Sequence, residues 1–146
     1  MVAFTDRDRD DYQDGNGDPV EPSSYDQHHG YVKLNGNFGD QTASLTYERL
    51  DDEATTFERP NLLNYAGRFL ISDQEMSRET LAGNYGWDPD SRLVNLRATL
   101  YGNTTDFRIQ RQATGLVYGE GDFDSVGLDL RNTSVLGRHA LTYGVD

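Results

Sequence analysis

Cysteine is absent from the chain. Its absence removes disulfide scaffolds, thiolate nucleophiles and cysteine-based zinc sites from consideration. Long apolar runs are missing too. Hydrophobic residues make up 35% of the 146 residues, mean hydropathy is −0.77, and no stretch of about 18 apolar residues exists to form a transmembrane helix. Basic charge is scarce: 13 Lys and Arg stand against 25 Asp and Glu, for a net charge of −12. With a pI near 4.5 there is no basic stripe to neutralise phosphates, and nucleic acid is not an expected partner. The opening residues, Met1-Val2-Ala3-Phe4-Thr5-Asp6-Arg7, show neither the basic segment nor the apolar stretch of a secretory signal. A Gly-rich phosphate loop, a G-x-S-x-G elbow and a His-rich metal motif are all missing. No catalytic residue is assigned, and no enzyme is expected.

What is present is aromatic. Nine Tyr, six Phe and one Trp give 11% aromatics in a chain otherwise polar enough to look poorly foldable. The length fits one ordinary domain. Wherever a period appears, it is two. Val32, Leu34, Gly36 and Phe38 fall on one face, as do Ala43, Leu45 and Tyr47, then Leu81, Gly83, Tyr85 and Trp87. Val94, Leu96, Ala98 and Leu100 follow, then Val126, Leu128 and Leu130, and finally Leu141, Tyr143 and Val145. Residues 1–12 carry Val2 and Phe4 as a weaker strand signal. Residues 61–71 read either as a short helix or as a loop strand. The rest predicts seven antiparallel strands, an all-β up-and-down meander.

The connections sharpen this reading. Tight ones fall at about 39–40, 88–91 and 136–138, and long polar ones at about 13–28, 50–76 and 105–121. Strict alternation of long and short suits a transmembrane β-barrel, with short turns on one rim and long loops on the other. A soluble sandwich mixes loop lengths less regularly. Phe38, Tyr85 with Trp87, and Tyr143 sit beside the tight turns, as an interfacial girdle requires; capping an ordinary core is the other reading of these rings. Lys33, Glu48, Arg97, Asp129 and Arg131 form a mixed-charge opposite face. In a barrel that face lines the lumen and contacts a plug; in a soluble sheet it is the wet side.

Asp8-Arg9-Asp10-Asp11-Tyr12-Gln13-Asp14-Gly15-Asn16-Gly17 resembles the acidic strand-to-loop segment of TonB-dependent outer-membrane receptors. Tyr25-Asp26-Gln27-His28 with Val32-Lys33-Leu34 is similar to the strand that follows it there. Leu45-Thr46-Tyr47-Glu48-Arg49 with Phe57-Glu58-Arg59-Pro60-Asn61-Leu62 resembles the next strand and its loop. Further barrel-like phrases are Arg78 to Tyr85, Asn95 to Tyr101, Leu128 to Ser134 and His139 to Asp146. The resemblance covers nearly the whole chain and is strongest for the haem and haemoglobin receptors. It implies a Gram-negative outer-membrane barrel that imports haem or another iron-bearing ligand, plugged by an amino-terminal domain and driven by an energy-coupling inner-membrane protein. Plug, coupling box, signal peptide and a carboxy-terminal strand ending in an aromatic are not seen. Seven strands are too few to close such a barrel. Residues 1–146 therefore read as a single barrel segment, with outer-membrane lipid, the rest of the barrel and the plug as expected partners and no cofactor of its own. A small acidic soluble β-sheet binding module is the alternative.

His28 and His29, at the end of the first long loop, are candidate haem-iron ligands, since imidazole binds haem iron well; a solvated pair at a strand start is the plainer reading. His139 reads as structural. Asp10, Asp14, Asp18 and Glu21 fall at EF-hand ligand positions, with Gly15 at the turn position. Tyr12 replaces a ligand there, Pro19 interrupts and no helices flank the run, so calcium is a weak candidate beside a solvated acidic loop.

Overall fold

Period-two alternation makes strands because successive side chains point to opposite faces of the pleat. The computed structural model describes residues 1–57 and 71–146. Within them lie seven strands: β1 (Val2–Arg9), β2 (Tyr25–Phe38), β3 (Gln41–Phe57), β4 (Ile71–Trp87), β5 (Leu96–Arg111), β6 (Val117–Leu136) and β7 (His139–Val145). They form one antiparallel sheet in sequence order. The all-β meander expected from the sequence is the fold, and no helix occurs among the described residues. The sheet is open: β1 and β7 lie at its two edges.

The tight connections are where alternation placed them. Gly39 and Gly137 turn β2 into β3 and β6 into β7, with φ of 63° and 66°. These are left-handed values that a Cβ disfavours. Residues 88–95 join β4 to β5 at the same end.

The long connections are shorter than expected. β2 begins at Tyr25 instead of after residue 28, and β3 continues to Phe57. β4 begins at Ile71, β5 continues to Arg111, and β6 begins at Val117. The sequence hides these extensions because one face is acidic there and the other carries only scattered apolar side chains such as Met76, Phe107 and Phe123 among polar ones. Asp51 lies opposite Ser77, Ser77 opposite Asp106, and Asp106 opposite Asp122. Backbone ladders carry the pairing without an apolar face to announce it. Of the stretch 61–71 read as helix or strand, Ile71 opens β4; residues 61–70 lie outside the described residues.

No hydrophobic side chain is buried among the described residues; the buried residues are Ser72, Gly86 and Ser134. The accessible surface is 10760 Å², against about 7,500 Å² for a globular protein of 16.4 kDa. The excess follows from a wall one strand thick, whose apolar face has no second layer. Hydrophobic burial normally contributes about 25 cal/mol per Å². Here that contribution depends on whatever covers the face.

Candidate functional site

The register sorts the side chains into two faces, because directly opposed residues share a side. One face carries an apolar belt nearest the tight turns. Its first row runs Phe38, Gln41, Trp87, Leu96, Asn132 and Tyr143 across β2 to β7. Three of those six are aromatic. Tyr143 Oη receives a hydrogen bond from Asn132 Nδ2 at 2.8 Å, and Tyr85 Oη donates to Gln41 Oε1 at 2.9 Å, so the rings sit beside polar partners. Farther from the turns come Leu34, Leu45, Gly83, Leu100 and Leu128, then Val32, Tyr47, Leu81, Gly102 and Val126.

One step beyond, the same face becomes charged. Arg49, Glu79, Thr104 and Asp124 form the boundary row, and Arg49 bridges both Asp51 and Glu79. Asp6, His28, Asp51, Ser77, Asp106 and Asp122 follow, then Asp8, Asp26, Glu53, Glu75, Arg108 and Glu120. The acid of the net charge is thus concentrated in a band flush with the strands as well as in the loops.

The opposite face is polar near the turns. Lys33, Glu48, Arg97, Asp129 and Arg131 share it, as their alternation requires. Glycines on this face make room for rings. The Tyr101 ring lies over Gly127, and Phe107 over Gly121, leaving no space for a Cβ at either. Higher up, Phe107 stacks on Phe123 at 5.8 Å and 10°, with Met76 directly opposite Phe107.

His28 and His29 lie inside β2, not in a loop, because β2 starts three residues before His28. Consecutive strand residues point to opposite faces, so the pair is split. His28 stands in the acidic band, opposite Asp6 on β1 and Asp51 on β3. His29 stands on the polar face, its Nε2 3.1 Å from Glu48 Oε1. Arg78 approaches the same carboxylate at 3.9 Å. The row through His29 continues Leu50, Arg78, Thr105 and Phe123. An imidazole, an apolar chain, a guanidinium and a ring face therefore lie in line over about 19 Å. Sequence alternation contained this row only in principle, since register across four hairpins is needed to assemble it.

The carboxylates proposed for calcium lie in the connection between β1 and β2. Gln13 bridges Pro19 as a small hairpin. At its tip Asp14 Oδ1 accepts the backbone N–H of Asn16 at 2.8 Å and of Asp18 at 3.0 Å. Those donors hold the Asp14 carboxyl below its ordinary pKa of 3.8. Asp10, Asp14, Asp18 and Glu21 are not gathered around one point. Among the described residues the one convergence of potential metal ligands is Asp6, Asp26 and His28, which sequence spacing does not reveal because Asp6 and His28 meet only through β-pairing. His139 opens β7 opposite Leu136.

No family model matches the chain, and no solved structure matches it. It is similar to heme/hemopexin utilization protein C of Haemophilus influenzae, at 30% identity over 120 residues, covering 70% of this chain and 16% of that protein. The protein of the same name from strain 86-028NP is 34% identical over 80 residues, covering 55% of this chain and 11% of that one. The chain thus spans about a sixth or less of the length of these curated relatives.

Proposed function

We propose that residues 1–146 are a wall segment of a TonB-dependent receptor barrel in a Gram-negative outer membrane, serving uptake of haem or another iron-bearing ligand. The observation that carries this reading is the apolar belt. It is continuous over six strands, ends in a charged row, and covers nothing within the described sheet. On β6 the belt face runs from Val126 to Leu136 with Asn132 and Ser134 as polar interruptions, about 33 Å along the strand, or about 23 Å of height when tilted by 45°. That height matches the outward apolar band of an outer-membrane barrel, about 25 Å. Phe38, Trp87 and Tyr143 would form the girdle at the turn side. The relatives named for haem and hemopexin utilization favour haem as the cargo.

In this reading the belt faces lipid and the polar face lines the lumen. The role is capture and passage, not catalysis, with the remaining strands, a plug and an energy-coupling inner-membrane protein as partners. Of the two histidines, His29 is the haem-facing one. It lies on the luminal face, with Arg78 in the same row to meet a propionate and Leu50 and Phe123 to meet the ring. Glu48, 3.1 Å from Nε2, holds the imidazole until iron displaces it.

A Soret-band titration of the membrane-inserted receptor tests this. His29→Ala is expected to weaken haem binding at least about tenfold, with His28→Ala unchanged. Unchanged binding in His29→Ala, or a loss confined to His28→Ala, contradicts the assignment.

A further inference from the structure

Phe107 and Phe123 are an aromatic pair on the polar face, toward the strand ends away from the tight turns. Gly121, directly opposite Phe107 on β6, carries no side chain. The Phe107 ring therefore lies over β6, where it stacks on Phe123 with the planes only 10° apart. A flat ligand lying along one ring is parallel to the other, the geometry that offset stacking of π-systems requires. Met76 stands opposite Phe107 on β4 and adds a polarisable thioether, which packs favourably against aromatic rings. The three side chains span β4 to β6, about 10 Å across. Phe123 is 63% exposed, and Phe107 and Met76 are half-buried, so the patch is open on this side of the sheet.

Charge on this side is opposite to that of the chain. From the row of Glu48 outward, the polar face holds Arg7, Arg9, Arg78 and Arg111 against Glu48 and Asp52 among the described residues. The acidic band lies on the other side of the same strands. A chain of net charge −12 thus surrounds its aromatic patch with cations, which suits a planar ligand that bears carboxylates. We infer that Met76, Phe107 and Phe123 form a stacking platform for the macrocycle of a carboxylate-bearing tetrapyrrole. Arg78, two residues from Met76 on the same side of β4, meets one carboxylate. The inference rests on the haem reading above and adds that the platform recognises the ring, with or without iron. His29 lies three strands from Phe107, about 14 Å away, so the platform is a station apart from the imidazole.

Fluorescence titration of the membrane-inserted receptor with iron-free protoporphyrin tests this. The porphyrin is expected to bind. Phe107→Ala and Phe123→Ala each weaken it at least about tenfold, Phe123→Tyr keeps the ring and the affinity, and His29→Ala leaves iron-free binding intact. In the unsubstituted receptor the Met76 methyl resonance, assigned with Met76→Leu, shifts upfield under the porphyrin ring current, a readout independent of whether any variant folds. Haem that binds through His29 while iron-free protoporphyrin fails to bind, or binds equally well to Phe123→Ala, overturns the platform and leaves the haem reading standing. A receptor that binds neither ligand overturns both. Phe123→Ala that lowers stability with porphyrin affinity unchanged marks the pair as a contact of the plug, and overturns the platform.

Discussion

Arg49 and Glu79 face each other across β3 and β4, two residues beyond the opposed pair Tyr47 and Leu81. Between these two pairs one face of the sheet passes from apolar to charged. A boundary of this kind is expected of a surface held at a fixed depth in a membrane and not of a face merely rich in leucine.

The ion pair itself contributes little. Arg49 and Glu79 are about half exposed, where cross-strand charges are worth about 0.2–1 kcal/mol. A double-mutant cycle with Arg49→Ala and Glu79→Ala, read by urea unfolding from lipid vesicles, is expected to give a coupling within that range.

A charge placed inside the belt is far more costly. Leu100→Arg, on the belt face, is expected to destabilise the vesicle-inserted protein by about 2–4 kcal/mol, and Thr99→Arg, on the polar face opposite Asp129, by less than about 1 kcal/mol. Equal costs at the two neighbouring positions would remove the distinction between the faces.

Gly127 is required by the ring above it. With Tyr101 occupying the space of its missing Cβ, Gly127→Val forces the ring aside at about 1–3 kcal/mol. Tyr101→Ala loses the packed ring but opens that space, so the double substitution is expected to be less destabilised than the sum of the singles, by the same unfolding measurement.

The β1–β2 connection is sensitive to acid. The Asp14 pKa is depressed by N–H donors from Asn16 and Asp18. A depressed carboxyl contributes order that is fully present above its ordinary value of 3.8 and is lost as pH falls through the lower folded value. The amides of Asn16 and Asp18 are expected to lose hydrogen-bonded chemical shifts as pH falls below 3.8, and Asp14→Ala removes that transition.

Alternation made Val32 to Phe38, Leu81 to Trp87 and Val126 to Leu130 legible, because a belt needs one apolar face and a strand presents it every second residue. The tight turns at Gly39 and Gly137 were legible for the same reason, as breaks in that rhythm. The acidic halves of β3 to β6 were not: Asp52, Glu75 and Asp124 look like loop, and Met76, Phe107 and Phe123 are too scattered in sequence to announce the one face they share. His28 and His29 stood out by residue type alone. Their separation onto opposite faces needed the strand to be extended through them, and the meeting of His28 with Asp6 needed the β1–β2 register.

The face assignment is tested most directly by single-cysteine labelling in the membrane-inserted receptor, for which a segment without native cysteine is well suited. Probes at Leu45, Leu96 and Leu128 are expected to be quenched from the lipid, and probes at their neighbours Thr46, Arg97 and Asp129 from water alone. Reversed or uniform accessibility, or a detergent-free chain that is monomeric and folds cooperatively, would contradict a lipid-facing belt.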